Sequence, residues 1–229
     1  NIQPEELIDY ELGWKYNAEK FLFNSNLYYM GYKNQLVLTG ALDDVGSPIR
    51  ENSGKSYRMG IELESVYKAT NKLNISANIS FSENKNVDYK TNYNGVITDW
   101  GDTDISFSPN VISSAGIQFS ASQDLTFTLL NKFVGNQYMS NTESNISKLS
   151  SYSTTDLNIL YTIKNSAYFS EIIVTAMINN IFNKEYVSNG YYYTYDDTWS
   201  DPNLITTIEG TGYYPQAKRN FLLGLTFKL

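Results

Sequence analysis

The densest group of chemically distinctive side chains lies between Asn189 and Tyr214. It combines aromatic rings that have polar tips with carboxylates, namely Tyr191, Tyr192, Tyr193, Tyr195, Trp199, Tyr213, Tyr214, Asp196, Asp197 and Asp201. Such rings offer a large contact area at a low cost in side-chain entropy, and segments between regular elements commonly carry recognition. We expect a ligand-binding surface here, with contacts from Tyr191, Tyr192, Tyr193, Tyr195 and Trp199. Trp100, in an earlier polar segment, is a further candidate.

A second interpretation of the same aromatic residues stays open. Several of them could pack against neighbouring segments, or belong to a belt of Tyr and Trp at a membrane interface. The sequence alone does not choose between a binding surface and these structural roles.

Two groups of charged residues could in principle bind a cation or take part in catalysis. Asp99, Asp102 and Asp104 could supply oxygen ligands to a hard cation, but their spacing matches no known ligand loop, and a solvated acidic segment is the better interpretation. Arg58, Glu62 and Glu64 alternate along one face of a predicted strand, where they resemble an ordinary charged wall more than a catalytic pair. We expect no catalytic site, no metal site and no cofactor.

The residue types that are missing exclude several functions. The chain has no His and no Cys, so it lacks the commonest general base, the commonest metal ligand and any thiol nucleophile. The net charge of −7 argues against a nucleic-acid partner. The first residue is Asn1, and we expect a mature fragment rather than a complete precursor.

Strict alternation of apolar and polar residues predicts strands along the whole chain. In the first, Ile8, Tyr10, Leu12, Trp14 and Tyr16 share one face. Further strands are predicted over Phe21–Leu38, Ser56–Lys68, Leu73–Ser82, Val111–Ala121, Leu125 onward, Ser153–Lys164, Glu171–Asn180 and the terminal stretch from Arg219 to Leu229. About nine strands result, all within one domain, residues 1–229.

The connections between these strands alternate between short and long. Short turns lie at residues 17–20, 69–72, 122–124 and 165–170, whereas long polar connections lie at residues 39–55, 83–109, 140–151 and 182–216. Tight periplasmic turns that alternate with extended extracellular loops are typical of an antiparallel up-and-down β-barrel that spans the outer membrane. The terminal strand then runs inward and pairs with the strand at Glu171–Asn180.

A soluble sheet is the alternative interpretation, because alternating apolar faces could equally be buried on a core. Such a chain would be a soluble or surface-attached β-rich binding module with no transport role. The opposite strand faces favour the barrel, because Asn74, Ser76, Asn78 and Ser80 could line a wet interior.

Three stretches resemble the TonB-dependent outer-membrane receptors, and a fourth resembles members from Bacteroidetes-type bacteria. They are Ile2–Lys15, which contains Tyr-Glu-Leu-Gly; Asn179–Tyr186, with Gly190 and Tyr191 after it; Tyr214–Phe221, a Pro-x-x-x-Arg-x-Phe lead-in to a final strand; and Asp43–Leu63. One departure is the last residue, because the family usually ends on Phe or Trp and this chain ends on Leu229, with Phe227 two positions before it.

The resemblance implies a bacterial outer-membrane protein with a 22-stranded barrel and an N-terminal plug domain that couples to TonB. This chain would supply about the last nine strands and no plug domain, so we expect the remaining strands upstream or on another chain. The implied partners are outer-membrane lipid, the TonB complex through the absent plug, and a small-molecule ligand. The implied cargo is a ferric siderophore, the commonest in the family, with cobalamin, a glycan or another metal complex as alternatives.

Overall fold

The computed structural model describes residues 2–43, 45–93, 96–164, 168–201 and 204–229. These residues form strands joined by turns and one short 3₁₀-helix at Asn145–Ser147. Numbered along the chain, the strands are β1 Glu6–Asn17, β2 Phe21–Lys33, β3 Leu36–Leu42, β4 Pro48–Asn52, β5 Lys55–Thr70, β6 Leu73–Tyr93, β7 Val96–Asp104, β8 Val111–Ser120, β9 Leu125–Val134, β10 Gln137–Tyr138, β11 Lys148–Leu149, β12 Tyr152–Lys164, β13 Glu171–Asn179, β14 Val187–Asp197, β15 Thr206–Pro215 and β16 Asn220–Lys228.

The main sheet follows the order β1-β2-β5-β6-β8-β9-β12-β13-β16, with β7 added beside β6. Every neighbouring pair along this path is antiparallel. This confirms the all-β meander and its nine principal strands. It also confirms the pairing of the terminal strand, because β16 lies beside β13 from Asn179↔Asn220 to Glu171↔Lys228.

The sheet is open within this chain. In the part of the chain that the structure describes, β1 pairs only with β2, and β16 pairs only with β13. Every residue of β1 is exposed. The two edges therefore present backbone donors and acceptors that a bilayer would leave without partners.

One face of the sheet is apolar from edge to edge. The register places Leu27 opposite Leu12 and Ile61, and Ile61 opposite Phe81. Across the described residues no second layer covers this face, and Leu12 and Leu223 are 70% and 74% exposed. The soluble alternative required apolar faces packed on one another, and no such packing is seen among the described residues.

The other face carries side chains that hydrogen-bond across the strands. Asn78 donates to Ser114 Oγ at 2.8 Å, and Asn74 donates to Gln118 Oε1 at 3.4 Å. Asn24 donates to Glu64 Oε2 at 2.9 Å. The alternation that predicted a wet interior face therefore corresponds to a continuous polar surface.

The two ends of the sheet differ sharply. At one end, called here the turn end, the chain reverses through short connections, and ion pairs join Lys164 to Asp124 at 2.7 Å and Lys228 to Glu171 at 2.5 Å. Part of the predicted turn at 165–170 lies outside the described residues, namely 165–167. The opposite end, called here the loop end, contains all the long connections.

The long connections are more regular than their sequences predict. The predicted strand Phe21–Leu38 is instead two strands, because Asn34 adopts a left-handed φ of 58° and ends β2. The connection at 83–109 contains the continuation of β6, a strand of 21 residues, and its hairpin partner β7. The last connection holds the β14/β15 hairpin.

Most buried side chains lie at the loop end rather than within the sheet. Buried apolar residues include Val37, Tyr89, Ile105, Met139 and Leu149. No helix among the described residues is long and apolar enough to cross a membrane.

Candidate functional site

Four connections converge at the loop end, and Asn141 lies at the junction of three of them. Its amide nitrogen donates to the Leu38 carbonyl at 3.0 Å, while its amide oxygen accepts the Ser106 N–H at 2.9 Å and Asn86 Nδ2 at 3.3 Å. Asn141 is 1% exposed, and Asn86 is fully buried. One amide thus links β3, β6 and the segment after β7 to the connection between β10 and β11. We call the assembled loop end the platform.

The acidic residues considered as a cation site are held apart by other partners. Asp99 pairs with Lys90 at 2.8 Å, and Asp104 pairs with Lys85 at 2.7 Å. Asp102 accepts the backbone N–H of Asp88 at 3.0 Å. Within the described ranges no group of three or more carboxylates could hold a metal ion.

Lys85 is the ionic centre of the platform. Besides Asp104, it lies 3.5 Å from Glu143 Oε1, and the same carboxylate oxygen accepts the Asp104 N–H at 2.5 Å. Because these side chains are largely removed from solvent, the pairs are screened less than surface ion pairs. They fix β6 and β7 to the connection that carries the 3₁₀-helix.

Above the platform, β14 and β15 form a hairpin with a row of tyrosines along one face. The rings of Tyr191 and Tyr193 stack at 6.2 Å between centroids, and those of Tyr193 and Tyr195 at 6.4 Å. Tyr214 joins the row, with its ring 6.0 Å from that of Tyr191. We call these four residues the tyrosine ladder. Tyr191 and Tyr195 are each 51% exposed, so their rings can be contacted from solvent.

Two glycines of β15 allow the tyrosine rings to lie flat against the hairpin. A Cβ at Gly210 would lie 2.4 Å from Tyr193 Cζ, and a Cβ at Gly212 would lie 2.3 Å from Tyr191 Cζ. Both distances are far below van der Waals contact. The position of these two rings therefore depends on the absence of a side chain beneath them.

Tyr192 points to the opposite face of the hairpin and is anchored in the platform. Its hydroxyl donates to Glu209 Oε1 at 2.6 Å, and Ser144 donates to the second oxygen of that carboxylate at 3.0 Å. Burial, and then the hydrogen bond and charge of Glu209, raise the pKa of the Tyr192 phenol. Tyr192 therefore positions the hairpin on its support and is not part of the exposed ladder.

The two predicted tryptophans lie apart from one another in the fold. Trp199 follows β14 and is 91% exposed, and its backbone N–H donates to Asp197 Oδ1 at 3.0 Å. Trp100 is on β7, is 44% exposed, and its indole N–H donates to Thr91 Oγ1 at 3.0 Å. The structure brings Tyr191, Tyr193 and Tyr195 together, and it places Trp100 in a separate hairpin.

The carboxylate of Asp197 organises the turn after β14. It accepts Ser200 Oγ at 2.5 Å and the backbone N–H groups of Trp199 and Ser200, both at 3.0 Å. The hydrogen bond from Ser200, and then those from the two amides, lower the pKa of Asp197. By alternation along β14, Asp197 continues the face that carries Tyr191, Tyr193 and Tyr195.

A small cavity lies beneath the hairpin. Its volume is about 150 Å³, and its lining includes Leu38, Phe107, Met139, Tyr191 and Tyr192. Sequence reasoning did not single out Met139, nor the amides of Asn86 and Asn141. Their residue types occur in most polar loops, and only the three-dimensional convergence of the connections gives them a shared role.

The charged residues on the polar face have structural partners. Arg58 donates to Ser108 Oγ at 2.8 Å and to Asn84 Oδ1 at 3.3 Å. Glu64 accepts the Asn24 amide, as described above. Arg58 therefore connects the strand wall to the platform, as an ordinary charged wall residue does.

Comparisons with solved structures show the same fold. The siderophore receptor PiuA from Acinetobacter baumannii aligns with a TM-score of 0.69 and 17% identity, over 97% of this chain and 28% of PiuA. The ferric yersiniabactin uptake receptor FyuA from Yersinia pestis gives 0.67 and 16%, over 96% and 29%. The copper transporter OprC gives 0.69 and 17%, over 99% and 32%. The chain therefore spans about a third or less of the length of these proteins.

A search of curated proteins finds no match. The family model described as TonB dependent receptor-like, beta-barrel, matches residues 1–181. Barrels of this family are bacterial outer-membrane proteins, and the uncovered apolar face of the sheet is the surface that such a location requires. The open sheet edges, the polar wall and the residues that the family model matches all agree with this assignment. The chain belongs to the TonB-dependent receptor β-barrel family.

Proposed function

We propose that residues 1–229 are the C-terminal part of the barrel of an active-transport receptor. It binds a scarce ligand outside the cell and imports it with energy from TonB, which acts through a plug domain that is not in this chain. The remaining strands of a 22-stranded barrel lie upstream or on another chain, and they pair with the open edges of β1 and β16. The protein acts as a transporter and not as an enzyme.

The observation that carries this proposal is the tyrosine ladder on a rigid support at the loop end. A hydrogen-bonded and ion-paired platform holds the hairpin, and two glycines hold the rings flat with exposed faces. Preorganised aromatic residues are efficient contact groups because little side-chain entropy is lost on binding. Tyr191, Tyr193, Tyr195 and Trp199 are the proposed ligand contacts. Tyr192 acts through the support, and Trp100 is a separate contact on β7.

The proposed cargo is a ferric siderophore. Support comes from solved structures with the same fold, which include a siderophore receptor and a ferric yersiniabactin uptake receptor. The copper transporter has the same TM-score as the siderophore receptor, 0.69. A copper complex is therefore the cargo against which iron must be tested.

Uptake by living cells tests the transport function. A strain that lacks the complete receptor is compared with the same strain complemented, using radioactive ferric siderophores and radioactive copper, with and without a protonophore. We expect the complemented strain to accumulate an iron complex only when energised. Equal iron accumulation in both strains would remove the iron cargo, and uptake that persists in de-energised cells would remove the coupling to TonB.

The barrel is tested separately in the purified complete receptor. A folded outer-membrane barrel resists detergent and migrates differently on a gel before and after boiling. Identical migration of boiled and unboiled samples would contradict the barrel whatever the uptake result.

A further inference from the structure

We infer that the tyrosine ladder receives the positively charged part of the ligand. If the proposed iron-uptake function holds, on which this inference rests, the cargo is a ferric hydroxamate complex with a pendant ammonium group rather than an anionic ferric catecholate. The reason is the charge and the ring geometry of the β14/β15 hairpin.

The β14/β15 hairpin is acidic and contains no basic residue. Residues 185–217 include five carboxylates and no Lys or Arg, namely Glu185, Asp196, Asp197, Asp201 and Glu209. Residues 34–55, 83–110, 135–151 and 180–219, which lie at the loop end, contain 14 acidic and 8 basic residues, and so account for −6 of the net charge of −7. An anion approaching this end meets a repulsive field, and a cation an attractive one.

Half of the basic residues at the loop end already form an ion pair or lie over an aromatic ring. Lys85 and Lys90 pair with Asp104 and Asp99 at 2.7 and 2.8 Å, and Lys218 pairs with Glu185. Lys148 lies over the Tyr138 ring, 5.5 Å from its centroid. The other four, Arg50, Lys55, Lys184 and Arg219, lie outside β14 and β15. The described hairpin therefore offers no cationic partner to an anionic ligand.

The tyrosine ladder offers groups that attract a cation. The face of a tyrosine ring is negative and attracts an ammonium group placed over it. Three such rings form a stacked row along β14, and two of them, Tyr191 and Tyr193, lie flat over glycines of β15. Asp197 continues the same face, and its low pKa keeps it ionised at neutral pH. Rings and carboxylate together form a surface suited to a cation.

The charge of a ferric complex follows from its ligating groups. Three hydroxamate monoanions neutralise Fe³⁺, so a pendant ammonium makes the complex positive, whereas three catecholate dianions leave a triple negative charge. Of these two common classes, only the hydroxamate complex matches an acidic aromatic surface.

Binding to the purified complete receptor tests this inference with three probes. They are a linear ferric trihydroxamate with a free ammonium group, the same complex with that amine acetylated, and a ferric tris-catecholate. We expect the ammonium complex to bind about three- to tenfold more tightly than the acetylated one at low salt, as exposed cation–π contacts reinforced by a carboxylate predict. The preference should shrink at high salt, because the Debye length falls.

The possible outcomes separate the inference from the proposed function. Equal affinity for the two hydroxamates, or tighter binding of the catecholate, overturns the inference while iron-complex binding still supports the receptor function. Binding of none of the three complexes overturns both.

Variants locate the effect on the ladder. Asp197→Asn and Tyr193→Leu should each reduce the preference for the ammonium complex. Glu19→Gln and Tyr168→Leu, which make matched changes at the turn end, should leave it unchanged. Heat-modifiable migration of every variant confirms folding. If the preference for the ammonium complex survives in both Asp197→Asn and Tyr193→Leu, and both variants are folded, the inference is overturned.

Discussion

The ring of Tyr193 lies across Gly210 of the neighbouring strand, where a Cβ would approach Tyr193 Cζ to 2.4 Å. Gly212 stands in the same relation to Tyr191. These pairs of glycine and tyrosine across β14 and β15 fix the rings by packing them against the backbone. The exposed surface of the hairpin is therefore set by backbone packing, which makes it sensitive to very small substitutions.

Gly210→Ala is expected to displace the Tyr193 ring and to break its stacking with Tyr191 and Tyr195. The affinity of the receptor for its iron complex should fall about three- to tenfold, since one aromatic contact contributes roughly 0.5–1.5 kcal/mol. Near-ultraviolet circular dichroism should report the altered tyrosine environment, and a binding titration the lost affinity. Gly13→Ala is the matched control, because its nearest atoms lie 3.8 Å from a Cβ there. An unchanged affinity in Gly210→Ala would contradict the role of the ladder.

The sequence predicts the nine principal strands and their order because each has an apolar face and a polar face. That pattern follows directly from a sheet with two different environments. This alternation is lost at the loop end. From Glu83 onward β6 has polar residues on both faces, so nothing in the sequence distinguishes an extended hairpin from a loop. For the same reason the sequence predicts a long polar connection where the β6/β7 hairpin lies.

The candidate site shows a different limit of sequence reasoning. Consecutive aromatic residues at Tyr191, Tyr192 and Tyr193 conceal the alternation of β14, since both faces of the hairpin use tyrosine. One face is exposed, while Tyr192 on the other is anchored to Glu209. Composition therefore identified the segment, but only the register with β15 separates the ladder from its support.

Tyr192 should make the hairpin sensitive to high pH. Burial, followed by the hydrogen bond and charge of Glu209, raises its pKa. Because the folded-state pKa exceeds the unfolded value of about 10, the neutral phenol stabilises the hairpin fully below that pH, and its contribution is lost as the pH rises further. Hydrogen exchange of β14 and β15 amides, corrected for the intrinsic pH dependence, should therefore lose protection above pH about 10.

Two variants isolate this effect. Tyr192→Phe removes the titrating group, so the protection of the hairpin should no longer fall over that range of pH. Glu209→Gln removes the charge that opposes ionisation, so the total loss of protection should be smaller and should end at a lower pH. The same pH dependence in Tyr192→Phe as in the parent would show that another group is responsible.

Asn141→Ala is expected to loosen the platform without opening the barrel. The substitution removes one hydrogen-bond partner from the Leu38 carbonyl, the Ser106 N–H and the Asn86 amide in a buried region. Asn86 keeps its 3.3 Å bond to Thr103 Oγ1. Each unsatisfied group costs about 1–3 kcal/mol. Hydrogen exchange should therefore accelerate in β3 and in the segment between β10 and β11.

The barrel of the Asn141→Ala variant should still migrate in a heat-modifiable way, because the strand ladder is untouched. Asn74→Ala is the control, since that side chain is only half-buried and makes a long 3.4 Å bond to Gln118. Equal exchange rates in Asn141→Ala and the parent would show that the loop connections are held by other contacts.

Leu222 and Leu223 offer a direct test of which face of the sheet meets lipid. Leu223 lies on the apolar face, opposite Ala176, and Leu222 lies on the polar face, opposite Met177. Leu223→Arg places a charge in the bilayer and should cost about 2–4 kcal/mol if the residue is near the midplane. Leu222→Arg places the same charge toward the wet interior and should cost far less. The fraction of receptor that folds into lipid vesicles across a urea series measures both, and equal losses would contradict the assignment of the two faces.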